Sequence, residues 1–162
     1  MRAKKVKSQK SKVTPPSHPS PSRGEGKGGG ENSEPQPIII HGIVNGKRVP
    51  SRILEEQVQQ AVRESARALH IVADGQHGIG GRIWPRGETI TITVEGPAGQ
   101  RLGSMGMSGT EIVVKGSVSD DVGWINCGAK ITVLGDVTNG AFNAAAQGIL
   151  YVQGAVEPAA TR

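Results

Sequence analysis

Few residues in this 162-residue chain have the type and spacing that chemistry requires. His70 and His77 bracket Asp74, a set of metal-ligand types, but a closed zinc site needs four ligands and no fourth donor lies nearby. Asp120 and Asp121 are adjacent, and neighbouring carboxylates in a loop serve as solvated turn formers more often than as an acid/base pair. Cys127 precedes Gly128 and reads as a packing residue before it reads as a nucleophile. The run Gly75-Gln-His-Gly78-Ile-Gly80-Gly81 has the glycine density of a phosphate cradle. It lacks the Lys-Ser/Thr that would follow in a P-loop, and its spacing is not that of a Rossmann fingerprint. Met105, Met107 and Trp124 are a soft apolar group, fit either to meet a partner or to fill a corner of the fold.

The elements that must hold these residues begin after a long polar segment. Residues 1–37 contain no Phe, Trp or Tyr and are rich in Lys, Pro, Ser and Gly, so they are predicted to be a disordered basic tail. The net charge of +5 sits there: residues 1–36 carry eight basic and three acidic side chains, the remainder 11 of each. The folded part therefore has no excess charge with which to neutralise phosphates, and nucleic-acid binding is not expected of it. A tether to acidic partners through the tail is the exception, tested by deleting residues 1–36. No stretch is long and apolar enough to span a membrane, and the N-terminus lacks the apolar core of a secretory signal. With Cys127 alone there is no intrachain disulfide, which fits the cytoplasm.

Residues 38–70 read as a lead-in. Order is expected to begin at Ile38, where IIIHGIVNGKRVPS places Asn45-Gly46 between two β-prone runs and predicts a type I′ hairpin. Ser51 is the expected N-cap of a helix in which Leu54, Val58, Val62 and Leu69 recur near helical spacing. Its apolar side must be covered by something.

Over residues 71–162 the period becomes two, with a longer period above it. Four alternating strands each close on glycine: Ile92–Gly96, Ile112–Gly116, Ile131–Gly135 and Leu150–Gly154. The closing glycines Gly96, Gly116, Gly135 and Gly154 recur every 19 or 20 residues. Two residues beyond them stand Ala98, Val118, Val137 and Val156. Gly109, Gly128 and Gly148 recur midway round, and Gly103 and Gly123 repeat once. This period signals a solenoid. Coils of about 19 residues, rising one strand spacing of about 4.8 Å each, pair in parallel. Ile92/Val94, Ile112/Val114, Ile131/Val133 and Leu150/Val152 then form two inward columns, and Thr91, Thr93, Glu111, Lys115, Lys130 and Thr132 stay outside. Glycines at the corners are expected to turn through φ > 0 or to avoid the adjacent coil. Leu69, Ile71, Ala73 and Gly75, about 21 residues earlier, look like a degenerate first rung. The final rung has no evident cap, and is expected to pair with another chain or to aggregate.

These residues resemble the Gly-x-Gly-x-Gly (GXGXG) repeat domain found at the C-terminus of the glutamate synthase large subunit and in formylmethanofuran dehydrogenase. The segments ITVEGPAGQRLGSMGMSGTEIVVKGSVSDDVG and ITVLGDVTNGAFNAAAQGILYVQG carry the likeness, and VNGKRVPSRILEEQVQQAVRESARALHIV resembles the lead-in of stand-alone glutamate synthase domain 3 proteins. The resemblance implies an all-β, right-handed parallel β-helix of about four coils, fewer than family members usually have. It implies a non-catalytic structural role in glutamate biosynthesis, with glutamine hydrolysis, FMN and iron–sulfur chemistry held by partner domains. No catalytic, cofactor-binding or metal-binding residue is then expected here, and the repeat glycines are the residues of note. The partners it implies are an amidotransferase and an FMN domain; self-association through the open last coil, read from the residues themselves, is a further expected route. A scaffold role in a one-carbon complex, resembling that of the formylmethanofuran dehydrogenase repeat, is the alternative it leaves open.

Overall fold

Why residues 38 onward should order is answered by one parallel sheet running through most of them. The computed structural model describes residues 36–157. The predicted disordered tail lies outside the described residues except for its last two positions, as do residues 158–162. The elements are β1 (Ile38–His41), β2 (Ile43–Val44), β3 (Lys47–Arg48), α1 (Ser51–Arg63), β4 (Ala68–Val72), β5 (Ile90–Glu95), β6 (Thr110–Val114), β7 (Cys127–Val133) and β8 (Gln147–Val152). Six strands form a parallel sheet in the order β1-β4-β5-β6-β7-β8. The chain is a β-solenoid of about four turns, as its repeats predict.

The registers confirm the inward columns. Leu69, Ile92, Ile112, Ile131 and Leu150 align in one, and Ile71, Val94, Val114, Val133 and Val152 in the other. Ala98, Val118, Val137 and Val156 also stack in parallel from coil to coil. Burial follows the period of two: Ile92, Val94, Ile112, Val114, Ile131 and Val133 are at most 1% exposed. The outward positions carry complementary charges between coils, with Lys115 Nζ 2.7 Å from Glu95 Oε1 and Lys130 Nζ 3.0 Å from Glu111 Oε1. Exposed pairs of this kind contribute little stability each, and mainly avoid like charges on adjacent strands.

The degenerate first rung is real but longer than its sequence suggests. Leu69 pairs with Ile92 and Ile71 with Val94, a spacing of 23 residues, so Ala73 takes the closing-glycine position and Gly75 aligns with Ala98. The extra length falls between Arg82 and Ile90, in a loop that carries the exposed Trp84.

Three expectations for the lead-in need correction. Ser51 is not the N-cap: Pro50 holds that position with no side-chain cap bond, and the Ser51 hydroxyl instead accepts from the His77 N–H at 3.0 Å. The helix stops at Arg63, where Glu64 and the left-handed Ser65 (φ 74°) end it, so Leu69 belongs to β4 and a boundary at residue 70 cuts that strand. β1 is not a hairpin strand; it extends the parallel sheet, with Ile38 opposite Leu69 and Ile40 opposite Ile71. The hairpin itself is β2–β3, and Asn45 (φ 52°) and Gly46 (φ 72°) give it the type I′ geometry.

Together these elements close the first coil. Leu54, Val58 and Ala61 of α1 enter the same core as Ile40, Leu69 and Ile71. The backbone groups that a preceding coil would satisfy are taken by cap side chains. Gln59 Nε2 donates to the carbonyls of Gly81 and Arg82, and Arg48 donates to those of Asp74 and Gly75. Gln76, fully buried, ties the two parts together: its Nε2 donates to Gly42 O (2.8 Å) and Val49 O (3.2 Å), and its Oε1 accepts from Asp74 N (2.7 Å).

The closing glycines divide between the two expected reasons, positive φ and contact with the adjacent coil. Of Gly96, Gly116, Gly135 and Gly154, only Gly96 (φ 86°) is left-handed. What excludes a side chain at the other three is the coil before: a Cβ on Gly116 would overlap the Gly96 carbonyl oxygen, one on Gly135 would lie 2.7 Å from Gly116 C, and one on Gly154 2.5 Å from Gly135 O. Gly103, Gly109, Gly123, Gly128 and Gly148 do have positive φ.

Candidate functional site

Opposite the sheet, each coil returns through an arc in which every second residue is left-handed. The sets are Gly78/Gly80/Arg82, Arg101/Gly103/Met105, Asp121/Gly123/Ile125 and Gly140/Phe142/Ala144, all with φ between 51° and 71°. The two glycines seen to repeat, Gly103 and Gly123, are the middle members, and Gly80 extends their column. Seven non-glycine residues share this conformation, which costs roughly 1–2 kcal/mol apiece. Hydrogen bonds between coils hold them there. Gly78, Arg101 and Asp121 donate their N–H forward to the next coil, as do Arg82, Met105 and Ile125, while Gly103, Gly123 and Phe142 donate back. Between them Ile79, Leu102 and Val122 point inward and are fully buried. The arcs are thus the second wall of the core.

This arrangement removes the phosphate reading of residues 75–81. The amides of Gly75, His77, Gly78, Gly81 and Arg82 already donate, to Pro97 O, Ser51 Oγ, Gln100 O, Gly78 O and Ser104 O respectively. The histidines are similarly engaged. His77 Nδ1 accepts from Gln100 N (2.9 Å), and His70 Nε2 lies 3.3 Å from Glu95 Oε2 on the outer face of the sheet. Among the described residues no group of three His, Cys, Asp or Glu side chains comes together.

Asp120 and Asp121 are separated by what they bind. Asp120 accepts from Thr138 Oγ1 (2.7 Å), Gln100 Nε2 and Asn139 N, and the Thr138 hydroxyl above all holds its carboxyl below the usual range. Asp121 is an arc residue, 3.8 Å from Arg101 Nε. A carboxylate held ionised by coil-to-coil bonds is a structural tie and a poor general acid. Cys127 is half-buried at the start of β7, with its thiol 3.4 Å from Ile125 O. The neighbouring Asn126 is fully buried; its amide bonds Gly128 N, Ala129 N and Ala129 O, and so closes the corner after the third arc.

The soft residues border a cleft of about 420 Å³ between the start of α1 and the first three arcs. Trp124 and Met105 lie there, with the Arg101 guanidinium 4.9 Å from the Trp124 ring centroid; Met107 is half-buried beside Cys127. The arginines of the cleft are matched: Arg52 with Glu56, Arg82 with Glu55, Arg101 with Asp121. It has no uncompensated charge and no poised nucleophile. No protein family, curated protein or solved structure matches this chain. No helix among the described residues is long and apolar enough to cross a membrane.

One surface that departs from its neighbours is the outer face of the coil containing β8. Residues 137–156 contain no Asp, Glu, Lys, Arg or His, whereas both preceding coils carry charges of both signs. The charge ladder of the sheet ends there, since Ile149 stands opposite Lys130 and Tyr151 opposite Thr132. Ile149 is 56% exposed, Tyr151 58% and Val156 50%, and Leu150 and Val152 are only half-buried. The backbone is open as well. Gly140, Ala144 and Val156 hold positions whose amides donate forward in earlier coils, and they make no such bond among the described residues. The missing charge is visible in the sequence, but its meaning depends on knowing that this coil forms the edge of the sheet.

Proposed function

We propose that this chain is an assembly domain without catalytic machinery of its own, and that the face of the β8 coil is where it associates. The observation that carries this reading is the uncharged stretch 137–156 on a sheet edge that has no partner among the described residues. Soluble proteins blunt such edges with charges, bulges or a covering element, and an edge left flat and apolar is a template for pairing. At the opposite end of the same solenoid, side chains of the helix and hairpin bond carbonyls of the first coil, Arg48 those of Asp74 and Gly75 and Gln59 that of Gly81.

The resemblance to the Gly-x-Gly-x-Gly repeat supports assigning the domain to a glutamate synthase-type oxidoreductase of the cytoplasm. There it would be a packing surface beside an amidotransferase and an FMN domain, with FMN and the iron–sulfur cluster on those partners. Affinity purification of the full chain from its native host tests the assignment. Recovery with an amidotransferase and a flavoprotein is the expected result. Recovery with pterin or formyltransferase subunits would move the domain to a one-carbon complex, and glutaminase or flavin-reducing activity in the isolated chain would overturn the non-catalytic reading.

A further inference from the structure

We propose that the hollow between the end of α1 and the loop after the first arc binds a small ligand that joins a flat ring to an oxyanion, a phosphate or a carboxylate. The ring lies on Trp84, and the Arg63 and Arg86 guanidiniums hold the anion. Binding there is independent of whatever the β8 coil associates with.

The loop is an addition that the solenoid does not require. Leu69 and Ile92 are 23 residues apart in register, whereas Ile92 and Ile112 are 20 apart, so the first coil has three residues more than the second. The addition is firmly placed. Ile83 and Pro85 are buried, and Pro85 packs on Gly109 of the next coil, where an added Cβ would lie 3.0 Å from Pro85 Cβ. Trp84 and Arg86 alternate with them and are exposed. An ion pair from Arg67, in the connection between α1 and β4, to Glu88 ties the loop to the facing wall. Between the walls lies a cavity of about 480 Å³, with Val62, Arg63, Ser65 and Arg67 on one side and Trp84 and Arg86 on the other. Small-molecule sites commonly enclose about 300–1,000 Å³.

Trp84 supplies the platform. It is 68% exposed, more than any other large hydrophobic side chain among the described residues. A core role would have hidden it, whereas an indole left in water offers its face to any flat partner.

The arginines supply the charge. Glu88 neutralises Arg67, but Arg63 bonds the uncharged Gln60 side chain, and Arg86 has no side-chain hydrogen bond or ion pair among the described residues. No acidic side chain lines the cavity. The negative end of the α1 dipole, about half a unit charge, is outweighed by two guanidiniums, whose forked donors match a carboxylate or phosphate.

The backbone of Arg86 is a separate pointer. Outside the arcs, the left-handed non-glycine residues are Asn45 in the hairpin, Ser65 at the stop of α1, and Arg86 (φ 54°). Arg86 and Gly87 (φ 89°) are the central pair of a turn closed by Glu88 N–H donating to Pro85 O (3.2 Å), with the φ signs of type I′. Asn, Asp or Gly suits the first of those positions, and a strained backbone of this kind is characteristic of functional sites. An arginine there gives up conformational ease and gains a guanidinium at the mouth of the cavity.

Isothermal titration of the full 162-residue chain with adenosine 5′-monophosphate and with phenylacetate tests this, with adenosine and benzyl alcohol as rings alone and inorganic phosphate as the anion alone. One of the two ring-bearing anions is expected to saturate a single site at least about 10-fold more tightly than the ring or the phosphate by itself, and which one does so identifies the oxyanion. Trp84→Ala and Arg86→Asn should each weaken that binding by about 10-fold or more. Because asparagine is the residue a type I′ turn prefers, Arg86→Asn should melt no lower than the parent while losing the ligand, a pair of results that a purely structural Arg86 would not give. Failure of both ring-bearing anions to bind at millimolar concentration, or equal affinity for inorganic phosphate, would overturn the proposal. So would binding that either variant leaves unchanged, as capture by the basic residues 1–36 would produce.

Discussion

Gln76 offers the sharpest test of how the first coil is closed. Its side chain is fully buried and makes three hydrogen bonds, accepting from Asp74 N and donating to Gly42 O and Val49 O. Replacing it with Ala removes all three and leaves the Asp74 N–H without its acceptor, while Gly42 O keeps the bond from Val49 N. At about 1 kcal/mol per bond, and more where the abandoned group stays dry, the loss is about 3–5 kcal/mol. Gln76→Glu separates hydrogen bonding from size. One carboxylate oxygen can still accept from Asp74 N, but the other must face two carbonyl oxygens, which a charged carboxylate cannot do. The new carboxyl is therefore expected to have a raised pKa in the folded state, because only its protonated form donates. A raised folded pKa gives stability that is present at acid pH and lost as pH rises through that value. Relative to the parent at each pH, Gln76→Glu should be nearly neutral in acid and strongly destabilised at neutral pH. Urea unfolding followed by tryptophan fluorescence gives the free energies, and amide exchange locates the damage, which should concentrate in β1–β3. A Gln76→Ala protein within about 1 kcal/mol of the parent, with unchanged exchange in β1, would refute the role given to this residue.

Other expectations follow from single sites. Thr110 is fully buried beside Ile90 and its hydroxyl has no partner, so Thr110→Val should stabilise the fold by about 1 kcal/mol in the same urea titration. Gly116→Ala, whose Cβ would overlap the Gly96 carbonyl, should destabilise by about 3 kcal/mol or more, since backbone cannot move aside in a close-packed stack. Gly46→Ala, left-handed but with nothing within 4 Å of its Cβ, should cost only about 1 kcal/mol. The Lys115 ammonium, helped by His70, holds Glu95 below the usual glutamate range, so Lys115→Met should raise the Glu95 titration midpoint measured by NMR. The folded pKa is depressed here. The stability linked to Glu95 is therefore present above its unfolded pKa and fades as pH falls from there through the folded value.

The sheet was legible because its signal is local and repeated. Period-two runs of Ile and Val closing on glycine leave one consistent register, and a slip of one residue would expose every inward side chain. The hairpin turn was legible for a similar reason, since Asn45-Gly46 specifies its own dihedrals. The end of α1 was not: Leu69 continues the helical spacing of Leu54, Val58 and Val62, but packs better as the first rung. Nor was the membership of β1, because its partner is β4, some 30 residues later. The arcs were half-visible. Gly103 and Gly123 mark the left-handed column, while Arg101, Met105, Asp121, Ile125 and Phe142 adopt the same conformation against their intrinsic preference. Only bonds to the adjacent coils stabilise them there, and such bonds leave no trace in composition.

From the amino-acid sequence alone came the solenoid, its inward columns and its repeat glycines, all consequences of side-chain type at fixed spacing. Tertiary structure decided which glycines are held by sterics and which by φ. It also decided that Gln76, Gln59 and Arg48 bond backbone groups of the first coil, and that the uncharged residues 137–156 lie at an edge of the described sheet. Those outcomes depend on groups far apart in the chain meeting at bonding distance, and spacing along one dimension does not encode that meeting.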